Sequence, residues 1–160
     1  MAREYEPSDS EDLWRLKQAF ERGLGAGTGG SEKATLYEEK LDEEYRATYL
    51  EWVGRCMTDD RRSIQVVERD EEIVGYVFVL PESLAYIWDA AVLNEIYVEP
   101  DHRGTGVADE LMEAALAYAR DLDLPLERIV LDVDGKNDRA QAFYERWGFE
   151  HWGEMVARDL

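Results

Sequence analysis

A single mixed α/β (α+β) domain, with a twisted sheet of six to seven strands flanked by about four helices, is predicted by three observations. Residues 1–160 have the length of one ordinary domain, enough to enclose a core without disulfides or metals as staples. Apolar residues recur at helical spacing in the first third of the chain, then give way to β-branched and aromatic runs from Ser63 onward. The second half continues as strand, helix, strand, helix and strand, which adds parallel pairing to a meander and makes the sheet mixed.

Taken in order, Arg3-Glu4-Tyr5-Glu6 reads as a short edge strand ended by Pro7, with Ser8 and Ser10 as helix caps. Leu13, Leu16, Phe20 and Leu24 mark a first helix. Residues 25–30 have the form G-x-G-x-x-G, but a helical pattern precedes them where a dinucleotide fingerprint needs a strand, so residues 23–30 are expected to be a connector. Tyr37, Leu41, Tyr45, Thr48 and Trp52 fall on one face of a second helix, an aromatic stripe that either packs in the core or lines an acceptor pocket. Residues 63–67 and 73–80 form a hairpin around the charged turn Arg69-Asp70-Glu71-Glu72, and Pro81 ends it. Residues 90–98 supply the next strand, stopped by Pro100. A helix follows with Val107, Leu111, Met112, Ala115, Leu116, Ala119 and Leu122 on its apolar face. Pro125 leads into the buried strand Ile129-Val130-Leu131-Asp132-Val133, and a short helix around Ala140, Phe143, Tyr144 and Trp147 ends at Gly148. Trp152, Met155 and Val156 suggest a final strand.

The charge excludes one class of partner. With 37 Asp and Glu against 18 Lys and Arg, the net charge is −19, which repels a phosphate backbone and argues against nucleic acid. Adaptation to concentrated salt and attraction of a cationic substrate both account for such acidity. No run approaches the roughly 20 apolar residues of a membrane span, the first residues lack the apolar stretch of a signal peptide, and Cys56 has no partner for a disulfide. A cytoplasmic protein without metal is expected, with Cys56 as a packing residue.

Chemistry concentrates between residues 93 and 149. Glu95-Ile96-Tyr97-Val98-Glu99-Pro100-Asp101-His102-Arg103-Gly104-Thr105-Gly106-Val107-Ala108 runs as a strand, a glycine loop and a helix start. Free backbone N–H groups and the positive end of the helix dipole would meet there, a cradle for a pyrophosphate. Gly104 and Gly106 let the backbone approach an anion, Ala108 leaves room in the first turn, and Arg103 adds charge or braces the loop.

Arg103-Gly104-Thr105-Gly106-Val107-Ala108 resembles the Q/R-x-x-G-x-G/A loop of the GNAT superfamily of acyl-CoA-dependent N-acyltransferases. A second stretch, Asn137-Asp138-Arg139-Ala140-Gln141-Ala142-Phe143-Tyr144-Glu145-Arg146-Trp147-Gly148-Phe149, is similar to that family's N-x-x-A-x-x-F-Y-x-x-x-G-F, in the right order and spacing. The resemblance covers about residues 60–160 and implies a GNAT-like fold with a bulged strand. It also implies acetyl-CoA as acyl donor, an amine acceptor attacking the thioester directly, and often a homodimer.

By the same resemblance the main chain of Ile96, Tyr97 and Val98 contacts the pantetheine arm, Arg103, Gly104, Thr105, Gly106, Val107 and Ala108 hold the diphosphate, and Asn137 hydrogen-bonds the pantetheine region. Arg139 and Lys136 are candidate phosphate partners. Tyr144 looks like the general acid toward the departing thiolate, with a phenol pKa near 10 suited to the task. Glu95 lies where relatives often carry the general base. Strand alternation puts Asn94, Ile96 and Val98 on one face and Glu95 and Tyr97 on the other, unless a bulge changes the parity. Asp89 and a water held by Asn94 compete for the same role, while His102 reads as a loop residue and His151 has no partner pattern. A non-catalytic acyl-CoA sensor on the same fold is the alternative.

Overall fold

The computed structural model describes residues 1–28 and 30–160, and the side chains of all of these but 25–31. Among them five strands form one sheet in the order β1-β2-β3-β4-β5: Arg3–Glu4, Ile64–Arg69, Glu72–Val79, Ala91–Val98 and Ile129–Val130. The first four pair antiparallel and β5 joins β4 in parallel, so the sheet is mixed. Five α-helices accompany it: α1 Ser10–Thr28, α2 Gly30–Glu39, α3 Glu43–Asp59, α4 Val107–Asp121 and α5 Asp138–Arg146.

Local chemistry explains most boundaries. Asp70 and Glu71 sit at φ 51° and 69°, the two left-handed residues of a tight hairpin turn between β2 and β3. The predicted second helix is two helices: Asp42 caps α3 by accepting the Tyr45 N–H at 2.8 Å, and a capping residue cannot also lie within a helix continued from α2. The connector expected over residues 23–30 is helical as far as Thr28, with Gly29 outside the described residues. Arg22 to Glu38 at 2.8 Å and Glu21 to Lys40 at 2.8 Å fold α1 back on α2, and that packing outweighs the glycines' weak helix propensity.

Two core layers enclose the sheet. Leu13, Leu16, Val53, Ile64, Val66, Tyr76 and Phe78 pack between α1, α3 and one face. Val67, Val74, Val77, Val79, Leu111, Met112 and Ala115 pack between α4 and the other, with Phe143 and Tyr144 of α5 and its C-cap Trp147 at its margin. Cys56 is buried in the first layer, and burial pushes its thiol up to about 11, so it stays an inert packing residue.

Five strands, against the expected six to seven, follow from two shortfalls. The strand expected over 129–133 ends at Val130, because β5 pairs with β4 only at Ala91–Ile129 and Val92–Val130. Residues 150–160 are exposed and form no strand. Trp152, Met155 and Val156 do not alternate, so no single face of a strand would bury them.

α4 approaches the sheet closely at Gly75. A Cβ there would lie 3.0 Å from the Tyr97 carbonyl oxygen and 3.1 and 3.2 Å from Leu111 and Val107 of α4. Gly75→Ala is expected to cost about 1–3 kcal/mol by overpacking. An unchanged urea midpoint would show that α4 can retreat.

Candidate active site

β4 opens the site on one edge. Val79 pairs with Leu93 and Phe78 with Glu95, which leaves Asn94 as an extra, bulged residue. The bulge resets the alternation. Leu93, Ile96 and Val98 pack on the α4 side, whereas Val92, Glu95 and Tyr97 face α1 and α3. Glu99 N–H donates to the Val74 carbonyl at 2.9 Å, so by alternation Ile96 and Val98 turn their own N–H and C=O away from β3. Past Val130 there is no β5 pairing to take them, so this edge of β4 has no partner strand on the way to the glycine loop.

Beyond the end of β4, Gly104 and Gly106 adopt φ 75° and 91°, a left-handed conformation that glycine reaches without strain. A Cβ at either would meet no atom within 4 Å, so both face open space. Glu110 N–H to Gly106 C=O, 3.0 Å, begins α4. The N–H groups of Val107, Ala108 and Asp109 precede it and have no acceptor within the helix. The two first-turn acids do not cancel the helix dipole there, because both are held elsewhere. Asp109 accepts from Arg146 at 2.8 Å and from the Trp147 indole at 3.0 Å, while Glu110 accepts from Arg69 at 2.7 Å.

Arg103 braces this corner. Its Nε donates to the Val98 carbonyl at 3.1 Å and its guanidinium lies 5.6 Å from the Tyr97 ring. Burial and then the charge of Arg139 lower the Arg103 pKa, so two cations converge beside the loop. Thr105 donates its hydroxyl to the His102 carbonyl within the turn. Asn137 caps α5 by accepting the Ala140 N–H at 3.2 Å, and Lys136 N–H donates to Asp134 at 2.8 Å.

Tyr144 lies on α5, with its ring 5.6 Å from Phe143 and 5.7 Å from Phe149. Burial raises its phenol to about 12, so the hydroxyl keeps its proton well past neutrality. Tyr144 therefore packs at the margin of the α4-side core while Glu95 faces α1 and α3, on opposite sides of the sheet.

Glu95 is buried and fully partnered. Oε1 accepts from Tyr49 at 2.9 Å and Tyr76 at 2.8 Å; Oε2 accepts from Asn94 at 3.0 Å and lies 3.2 Å from Lys17 Nζ. Burial and then the Glu95 charge push both phenols well above their usual range. Lys17 also binds Glu21, which Lys40 meets from outside. Burial opposes the Lys17 charge, but Glu95 and Glu21 outweigh it and hold the ammonium pKa above its usual value.

Sequence reasoning missed Lys17, Glu21, Tyr49 and Tyr76. One signal was available: Lys17 and Glu21, four residues apart, interrupt the apolar stripe of Leu13, Leu16, Phe20 and Leu24. Asn94, proposed to hold a water as a competing base, occupies the bulge and is exposed beside Glu95. Asp89 lies before β4, at the strand end opposite the glycine loop, and hydrogen-bonds through its carbonyl to Leu126. His102 sits in the turn Pro100–His102, and His151 is exposed in the last segment.

Residues 30–149 match the family model described as the acetyltransferase (GNAT) family. The chain belongs to this family. An uncharacterised N-acetyltransferase of Mycobacterium bovis is 39% identical over 126 residues, 78% of this chain and 72% of its own. A peptidyl-lysine N-acetyltransferase of Escherichia coli is 28% identical over 120 residues, covering 75% and 70%. Among solved structures, the PaiA N-acetyltransferase of Thermoplasma acidophilum in complex with coenzyme A superposes with a TM-score of 0.68. It is 18% identical and covers 94% of this chain and 89% of that one. This GNAT protein is thus an acyl-CoA-dependent acetyltransferase, and no helix among its described residues is long and apolar enough to cross a membrane.

Proposed function

We propose that this enzyme transfers the acetyl group of acetyl-CoA to a primary amine of a small molecule or peptide, by direct attack within a ternary complex. One observation carries the reading: the unpaired edge of β4 leads into a glycine loop whose backbone faces open space at the start of α4. The N–H groups around Gly104, Thr105, Gly106, Val107 and Ala108 would hold the diphosphate, with Arg103 and Arg139 adding charge. The main-chain N–H and C=O of Ile96 and the N–H of Val98, with Tyr97 between them fixing the strand and the Val98 carbonyl held by Arg103, would hold the pantetheine arm as an added strand is held. Asn137, its oxygen engaged in capping, would offer its amide N–H to the same arm.

In this scheme the acceptor nitrogen attacks the thioester carbonyl carbon, the C–N bond forms and the C–S bond breaks. The Tyr144 hydroxyl gives its proton to the departing sulfur, and the proton lost by the amine passes through water to Glu95. For that relay one of the four donors on Glu95 must yield, and Asn94, the exposed one, is the candidate. A binding-only module draws support from the same crowding.

Acetyl-CoA is expected to raise the melting temperature. Ligand at about 100 times Kd adds about 2.7 kcal/mol, several degrees for a domain of this size. A panel of amines, including lysine peptides because of the E. coli relative's name, is then assayed for CoA release at low and molar salt. No shift at millimolar acetyl-CoA would sink the reading. A shift without release from any amine would leave the binding module standing.

A further inference from the structure

We propose that Lys17 is a positioning residue for the transfer: it keeps Glu95 a carboxylate inside the core and so sets the pH range in which Glu95 can take the acceptor's proton. The role rests on Glu95 acting as the base. The two side chains are 5% and 4% exposed, with Lys17 Nζ 3.2 Å from Glu95 Oε2. A carboxyl so removed from water takes up a proton unless cations or hydrogen-bond donors hold its charge, and a cation adds attraction that neutral donors do not supply. The other groups on Glu95 are neutral: the phenols of Tyr49 on α3 and Tyr76 on β3, and the Asn94 amide on β4. Behind Lys17 stand Glu21, which competes for its charge, and Lys40, which meets Glu21 at 2.8 Å. Lys17 is therefore the one cation touching Glu95 among the described residues.

Stability alone does not explain the pair. Replacing a buried ion pair by apolar residues of similar volume is often neutral or stabilising. Lys17 stands among Leu13, Leu16 and Phe20, where a leucine or methionine would suit the core. The charge is spent instead one residue from the β4 bulge, beside the open edge. The rings of Tyr49 and Phe20, 4.8 and 5.2 Å from Nζ, keep the ammonium aimed there.

The test compares Lys17→Met, Lys17→Arg and Glu21→Gln with the wild type in two measurements. One is the pH profile of kcat/KM with an amine that the wild type acetylates. The other is the infrared carboxyl titration of Glu95, taken as the difference between each protein and its Glu95→Gln counterpart, which needs no acceptor. In Lys17→Met the acid limb and the infrared midpoint should both move to higher pH, with acetyl-CoA affinity retained. Lys17→Arg should restore both. Glu21→Gln, which removes a competing negative charge, should move the midpoint down. A midpoint unmoved in Lys17→Met, even with a lower melting temperature, overturns the proposal and makes Lys17 a packing residue. Should Lys17→Met not fold, Glu21→Gln decides, and a midpoint unmoved or raised there overturns it. Infrared shifts in the expected directions without turnover of any amine would instead overturn the acetyl transfer and leave the Lys17–Glu95 coupling standing.

Discussion

Tyr144→Phe is expected to lower kcat about a hundredfold while leaving acetyl-CoA affinity within about twofold, because general acid catalysis contributes at least about 10². The substitution removes one hydroxyl from a ring held against Phe143 and Phe149, so its packing survives. Without the phenol the sulfur departs unprotonated, and thiol esters of good leaving groups should suffer least. A pH consequence accompanies it. Burial lifts the phenol to about 12, above the ordinary value of 10, so the acid is present throughout the physiological range and the wild type should show no alkaline loss of kcat from this group below about pH 11. The linkage sign is that of a raised folded pKa: stability from this residue is complete below pH 10 and falls as pH rises toward 12. Turnover of Tyr144→Phe equal to the wild type would remove Tyr144 from the chemistry.

Gly106→Asp should abolish acetyl-CoA binding at concentrations that saturate the wild type, a loss of at least about 10²-fold. Aspartate tolerates the left-handed conformation better than other side chains, and it is a favoured residue at a helix N-cap, the position Gly106 occupies. Nothing within 4 Å obstructs the new side chain, so the cost to the fold is the backbone strain of a side chain at φ 91°, about 1–3 kcal/mol, and the protein should melt lower but stay folded. The carboxylate would instead stand where the N–H groups of α4 are proposed to meet the diphosphate, repelling it and satisfying those donors itself. Calorimetric titration with CoA, alongside a melting curve of the free protein, separates lost binding from lost fold. Wild-type affinity in a folded Gly106→Asp protein would mean that the cofactor binds elsewhere.

How much of this was legible before the fold depends on the range of the interaction. Gly104 and Gly106 could be read because a left-handed turn before a helix makes a local demand that glycine meets, and both have positive φ. The hairpin could be read because its charged turn and its β-branched and aromatic runs are local, and so could α4 and α5. The break at Asp42 was also local, a capping residue passed over because the aromatic stripe continued in register across it. The final strand failed for want of alternation, and the shortened β5 because divergence from β4 is a property of two strands together.

Glu95 shows the boundary most clearly. Its residue type, its place on a strand and its nearness to the glycine loop are all in the sequence. The side of the sheet it faces depends on an extra residue at Asn94, which exists only as a mismatch in register with β3. The company it keeps, Lys17 from α1, Tyr49 from α3 and Tyr76 from β3, comes from three separate elements. By itself the sequence determined the family motifs, the acidic charge and the glycine turn before α4 that is proposed as the anion cradle, because each rests on neighbouring residues or on composition. Only the tertiary structure decided which charges are buried together and on which side of β4 each candidate group stands, because burial and strand register arise from packing distant segments and leave no local period to read.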